Sequence, residues 1–206
     1  MTPIRSDGTA AIAAGHDRPL VAIVVVGYND KLVVSECLES LKHLDYRPLV
    51  VIYVDNASTD ASLEHIQITF PAVVAIPSGG NLGYCGGNNV GIVRAVDAGA
   101  KFILILNPDT VVCDRTFVSK LVDYMNSHPD VGKVGPKVYL RRHGNVQNTI
   151  LNWPSITGSL FSVFRTFLGP SAILKSAAVT EPMEVSSLNG CCLLVREEAI
   201  RTVGLY

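Results

Sequence analysis

At 206 residues the chain can bury about 70% of the surface it would expose when unfolded, which suits one domain with at most an appendage. Hydrophobic residues at 48% and charged residues at 17% exclude a disordered chain. The net charge of -1 withholds the basic surplus that nucleic-acid binding needs, so no nucleic-acid partner is expected.

The first nineteen positions, "MTPIRSDGTAAIAAGHDRP", are interrupted by Arg5, Asp7, Asp17 and Arg18 and have no continuous apolar stretch. Residues 1–19 therefore read as a flexible leader and not as a signal peptide. No later run approaches the length needed to cross a bilayer. The five cysteines form no Cys-x-x-Cys pair and no zinc spacing, and read as reduced, mostly buried thiols of a cytoplasmic protein.

From Leu20 the chain alternates. "LVAIVVV" (Leu20 to Val26) is a β-branched run expected of a strand buried on both faces. Asn29 or Asp30 can cap the helix that follows, in which Val34, Cys37, Leu38 and Leu41 fall at helical spacing. "LVVIYV" (Leu49 to Val54) is a second strand, after which Ser58 or Asp60 can open a helix with Leu63 and Ile66 inward. "AVVAI" (Ala72 to Ile76) is a short third strand. A Gly-rich loop, Pro77 to Gly91, then precedes a helical stretch expected after Asn88 and Asn89 and running through Val93 and Val96. "FILIL" (Phe102 to Leu106) is a fourth strand, and Asp114 caps a helix with Phe117, Val118, Leu121, Val122 and Met125 on one face. This alternation predicts an α/β fold around a largely parallel sheet.

In such sheets ligands bind beyond the carboxyl ends of the strands. The candidates are thus Gly27-Tyr28-Asn29, Asp55-Asn56-Ala57-Ser58, the segment after Ile76, and Asn107-Pro108-Asp109. The Gly-rich loop is neither a Walker loop nor a dinucleotide fingerprint, since it has no Gly-Lys-Ser/Thr and no Gly-x-Gly-x-x-Gly. Taken alone, each site has a plain alternative. Asp55, Asn56, Ser58 and Asp60 can make an Asx-turn or cap, and "NPDT" can be a rigid turn ending a strand.

"VVVGYND", "VDNASTD", "NLGYCGGNNVG", "LNPDT", "GKVGPKV" and "NGCCLLVREEAIRTVG" follow one another in this order. Together they resemble the family 2 glycosyltransferases, inverting enzymes with the GT-A nucleotide-sugar fold, and within them the rhamnosyltransferase-like members. The resemblance covers residues 20–206, with a nucleotide-sugar-binding half at 20–130 and an acceptor-side half, expected to be incomplete, at 131–206. It implies transfer of a sugar, rhamnose among the candidates, from a dTDP- or UDP-sugar to a saccharide or lipid-linked acceptor in bacterial surface polysaccharide synthesis.

The resemblance also implies roles. Asp55 matches the family acid that accepts the N3–H of uracil or thymine. Gly27, Tyr28 and Asn29 match positions lining base and ribose. Asn81, Gly83, Gly86 and Asn89 fall in the donor-facing Gly-rich segment. "NPDT" stands where the family carries its Asp-x-Asp metal motif, one carboxylate short. Asp109 would then be the metal ligand for Mg²⁺ or Mn²⁺, and Asn107 would offer a neutral oxygen or bond the ribose. The family's general base lies beyond the turn that "VGLY" begins, so it is expected beyond Tyr206, outside this sequence. Glu197 and Glu198 read as solvated helix residues, and neither they nor Glu181 and Glu184 match the base. A nucleotide-sugar-binding chain without turnover is accordingly the alternative function. Another enzyme class on a similar sheet lacks the phosphate loop it would need.

Between the halves, "WPSITGSLFSVFRTFLG" can form an amphipathic helix with Trp153, Phe161, Phe164, Phe167 and Leu168 against Arg165. It reads as a core-packing insertion. The sharper alternative is peripheral contact with the inner face of the cytoplasmic membrane, where a lipid-linked acceptor would lie.

Overall fold

The computed structural model describes residues 17–140, 144–147, 150–151, 179–185 and 187–206. The chain divides into two compact units, one of residues up to Val134 together with Gly190–Tyr206, the other Gly135–Asn189.

The first unit is built on strands β1 (Val21–Gly27), β2 (Leu49–Asp55), β3 (Val74–Pro77) and β4 (Phe102–Leu106), with helices α1 (Lys31–Leu41), α2 (Ser62–Thr69), α3 (Gly83–Asp97) and α4 (Phe117–Ser127). β5 (Lys133–Val134) belongs to the same sheet. In the second unit β6 (Val138–Tyr139) pairs with β7 (Val146–Gln147), and β8 (Ile150–Leu151) with β9 (Ser187–Leu188), both antiparallel. The chain returns to the first unit as β10 (Cys192–Arg196) and α5 (Glu197–Val203). The six-stranded sheet has the order β3-β2-β1-β4-β10-β5. β1 to β4 are parallel, while β10 runs antiparallel to β4 and β5.

The β-branched runs explain the centre. Ala22, Val24, Val50, Ile52, Val54, Ile103 and Ile105 pack with Ile92 and Ala95 of α3 in one buried cluster. Val21, Ile23 and Val25 alternate to the opposite face and are fully buried there. The helical stripe Val34, Cys37, Leu38 and Leu41 is buried in α1, as its spacing predicts. The segment holding Trp153 to Leu168 lies outside the described residues. Among those described, no helix is long and apolar enough to cross a membrane.

Two expectations about helix starts change. The Gly-rich segment is not a loop up to Asn89; α3 begins at Gly83, so Gly86, Gly87, Asn88 and Asn89 are helical. Glycine there serves packing. A Cβ on Gly87 would stand 2.6 Å from Val26 Cγ1, and one on Gly91 would collide with Val24 Cγ1. Glycines inside a helix cost about 0.5–1 kcal/mol each, which the close seating of α3 on β1 offsets. Similarly, α2 starts at Ser62, not at Ser58 or Asp60. Asp60 Oδ1 accepts from the Ser62 N–H at 3.0 Å and from its hydroxyl.

Candidate functional site

Register brings the strand ends level. Gly27 pairs with Asp55, Asp55 with Pro77, and Val25 with Leu106. Gly27, Asp55 and the residues after Pro77 and Leu106 therefore gather at one edge of the sheet.

Asp55 is the best-defined acid of this edge. It is only 4% exposed. Its Oδ2 accepts the Ser58 N–H at 3.1 Å, the Asx-turn contact. Its Oδ1 is buried and has no hydrogen-bond partner among the described residues. A buried carboxylate oxygen without a partner costs about 1–3 kcal/mol or more, and the local turn accounts for only one of the two oxygens of this side chain.

Around it the first two strand ends interlock. Asn29 adopts a left-handed backbone, φ 52°, and its N–H donates to Ser58 Oγ at 2.9 Å while its Oδ1 accepts the Thr59 N–H at 2.7 Å. Tyr28 beside it is half exposed. Neither Asn29 nor Asp30 caps α1 with its side chain; the Lys31 N–H goes to Asp60 Oδ2 at 3.3 Å instead. Asp30 turns inward. Its Oδ1 accepts from Tyr53 Oη at 3.3 Å, and its Oδ2 is buried without a hydrogen-bond partner among the described residues. Burial pushes the Asp30 carboxyl above the usual carboxylate range, against the Tyr53 hydrogen bond and with the charges of Asp60 and Asp55 adding to the rise. A Cβ on Gly27 would lie 2.5 Å from both Asp30 Oδ1 and Tyr53 Oη, so only glycine admits this pair.

Asn81 and Gly83 lie on the exposed approach to α3. Asn81 Oδ1 accepts the Gly83 N–H at 3.0 Å, and Gly83 has φ 68° with open space where a Cβ would be. Gly86 packs on Leu82, while Asn89 sits further along the helix and exchanges two 3.0 Å hydrogen bonds with the Tyr206 backbone. Tyr84 donates to the Gly190 carbonyl at 2.6 Å and meets Tyr206 edge to face, ring centroids 6.5 Å apart.

Beyond β4, the Asn107 N–H donates to the Cys191 carbonyl at 2.9 Å and its carbonyl accepts the Thr110 N–H at 3.2 Å. Asp109 is exposed at the tip. Burial pushes the Cys37 thiol up to about 12, with the charges of Asp109 and Asp30 adding, so the ends of β1 and β4 share this thiol's surroundings. Among the described residues no group of three or more His, Cys, Asp or Glu side chains is placed to hold a metal ion. One exposed carboxylate with a neutral amide neighbour does fit a Mg²⁺ or Mn²⁺ whose remaining ligands are diphosphate oxygens and waters. Glu197, expected in solvent, is buried and ion-paired with Arg201 at the start of α5.

Sequence reasoning missed Asp30, Tyr53 and Tyr84 as part of this edge. For Asp30 the only available signal was an acid directly after a strand-end glycine and asparagine, which a cap explains equally well.

Known proteins are similar to this chain in sequence or in fold. An N-acetylglucosaminyl-diphospho-decaprenol L-rhamnosyltransferase of Mycobacterium tuberculosis is 31% identical over 198 residues, 90% of this chain and 64% of the relative. The mannosyltransferase PcManGT from Pyrobaculum calidifontis, solved with GDP-Man and Mn²⁺, superposes with a TM-score of 0.63 at 21% identity, over 92% of this chain and 48% of that one. S. aureus TarS 1-349, solved with UDP-GlcNAc, gives 0.53 at 19% identity, over 64% and 38%. This chain thus spans just under two thirds of the rhamnosyltransferase and about half of the mannosyltransferase. The solved structures share its fold, which is GT-A. Because the model of glycosyl transferase family 2 runs over residues 22–203, from the first strand to the last helix, the chain belongs to that family.

Proposed function

We propose that the chain binds a dTDP- or UDP-sugar at the strand ends and takes part in inverting transfer of the sugar, rhamnose foremost, to a saccharide or lipid-linked acceptor in the cytoplasm. The observation that carries this is the buried Oδ1 of Asp55 at the end of β2, which has no hydrogen-bond partner among the described residues. Uracil and thymine present an N3–H donor, whereas the turn's own donor, the Ser58 N–H, is taken up by Oδ2. Tyr28 and Asn29 stand beside Asp55 as walls for base and ribose. Asn107 and Asp109, beyond β4, would face the diphosphate, and Asp109 with Asn107 would hold the divalent cation. When bound, that cation neutralises charge on the departing nucleoside diphosphate. The relative in Mycobacterium tuberculosis, named for rhamnose transfer to a diphospho-decaprenol acceptor, supports the sugar and the lipid-linked acceptor. No role as general base is assigned to Glu197, which Arg201 holds.

A thermal-shift panel of UDP-, dTDP- and GDP-sugars with and without Mn²⁺ tests the reading. A uracil or thymine nucleotide should raise the melting temperature with Mn²⁺, and GDP-sugars should not. Stabilisation by GDP-sugars alone would refute the base-reading role.

A further inference from the structure

The Asx-turn reading covers Asn56 as readily as Asp55, yet the Asn56 side chain makes no such turn. It is 4% exposed and reaches across to residues 81–83. Its Oδ1 accepts the Leu82 N–H at 2.9 Å, and its Nδ2 donates to Asn81 Oδ1 at 3.1 Å and to the Gly83 carbonyl at 3.3 Å. Both amide ends are thereby fixed: a backbone N–H demands the oxygen on one side and a carbonyl demands the nitrogen on the other. The preceding residue holds the other end of the same segment, since Ser78 donates to the Asp55 carbonyl from its N–H at 2.9 Å and its hydroxyl at 3.0 Å. Between these two anchors Gly79 has φ 83°, and neither Gly79 nor Gly80 has any atom within 4 Å of a would-be Cβ. The Asn56 N–H in turn donates to the Gly27 carbonyl at 2.8 Å, tying the clamp to the end of β1.

We infer that Asn56 is a positioning residue of the donor site: it clamps the strap 78–83 to the end of β2 and so holds Asn81 and Gly83 in register with Asp55. This rests on the proposed function. Asn81 and Gly83 are exposed and the bond between them, Gly83 N–H to Asn81 Oδ1, stays within the strap, so among the described residues the side-chain tie from β2 to the strap's far end is Asn56. The clamp acts through residues that would meet the donor, where misplacement by an ångström can cost a large factor in binding or rate.

The test uses the full chain. UDP and dTDP are titrated with Mn²⁺ by calorimetry into wild type, Asn56→Ala and Asn56→Asp, and amide exchange at Leu82 and Gly83 is followed alongside melting temperature. Asn56→Ala should weaken the better-bound nucleotide about tenfold or more and speed exchange at Leu82. Asn56→Asp keeps an oxygen facing the Leu82 N–H but sets its second oxygen against the Gly83 carbonyl and Asn81 Oδ1, so it should weaken binding as well. If Asn56→Ala does not fold, Asn81→Ala, at an exposed position, removes the acceptor of both Asn56 Nδ2 and the Gly83 N–H and should weaken binding too. Affinity within twofold of wild type in the folded variant overturns the assignment, even where melting falls. A wild type that binds neither nucleotide overturns the proposed function and this assignment with it. A wild type that binds beside an unaffected variant overturns the assignment alone.

Discussion

Asp55 and Asp30 each keep one buried carboxylate oxygen without a hydrogen-bond partner among the described residues. Interior carboxylates in that condition weaken the fold, and they persist where a site needs them. A carboxyl whose folded pKa is raised stabilises the fold fully only below its unfolded value of about 3.9, and loses that contribution as pH rises through the folded value. At pH 7 the charged Asp30 is therefore a liability. Asp30→Asn retains an oxygen for the Tyr53 hydroxyl and should melt above wild type at pH 7, with the gap closing as pH falls toward 4. A gap that does not change with pH would contradict this account of Asp30. Asp55 stood out because, at the end of a hydrophobic strand, it matches the acid of the family that the motifs resemble. Asp30 and Asn56 did not, because each is also a good cap or turn residue, and only tertiary contacts separate the uses.

At the level of elements, strands β1, β2 and β4 were readable to within a residue, since continuous β-branched runs have one comfortable place, the middle of a parallel sheet. The start of α3 was not. Glycine is a poor helix former, so "GYCGGNNVG" reads as loop by propensity, while the packing of Gly87 and Gly91 on Val26 and Val24 makes it helix. Two glycines of this segment should then respond in opposite ways. Gly91→Ala drives a methyl into Val24 and should cost about 1–3 kcal/mol of stability, read as a lower melting temperature. Gly83→Val meets no atoms, and its left-handed backbone costs about 1 kcal/mol, so it should lower nucleotide affinity more than it lowers melting. A reversed order in chemical denaturation and calorimetry would mean that Gly83 serves only the fold.

On the scale of the whole molecule, a parallel sheet gathers its strand ends at one edge, and the antiparallel return of β10 adds the Gly190-Cys191 turn to that edge beside Asn107. The sequence motifs are distant along the chain but converge there for this topological reason, which no single motif could reveal. The central claim is that Asp55 reads a base while Asp109 serves the diphosphate through a cation. It is tested most directly by calorimetric titration of UDP and dTDP, with and without Mn²⁺, into wild type, Asp55→Ala and Asp109→Asn. Wild type should bind one of the two nucleotides in a Mn²⁺-dependent way. Asp55→Ala should lose binding at least about a hundredfold while staying folded, in line with about 3 kcal/mol for a charge-assisted hydrogen bond in a buried site. Asp109→Asn should lose the Mn²⁺ dependence. Equal, Mn²⁺-independent affinities in all three proteins would contradict the claim and leave both acids as turn residues.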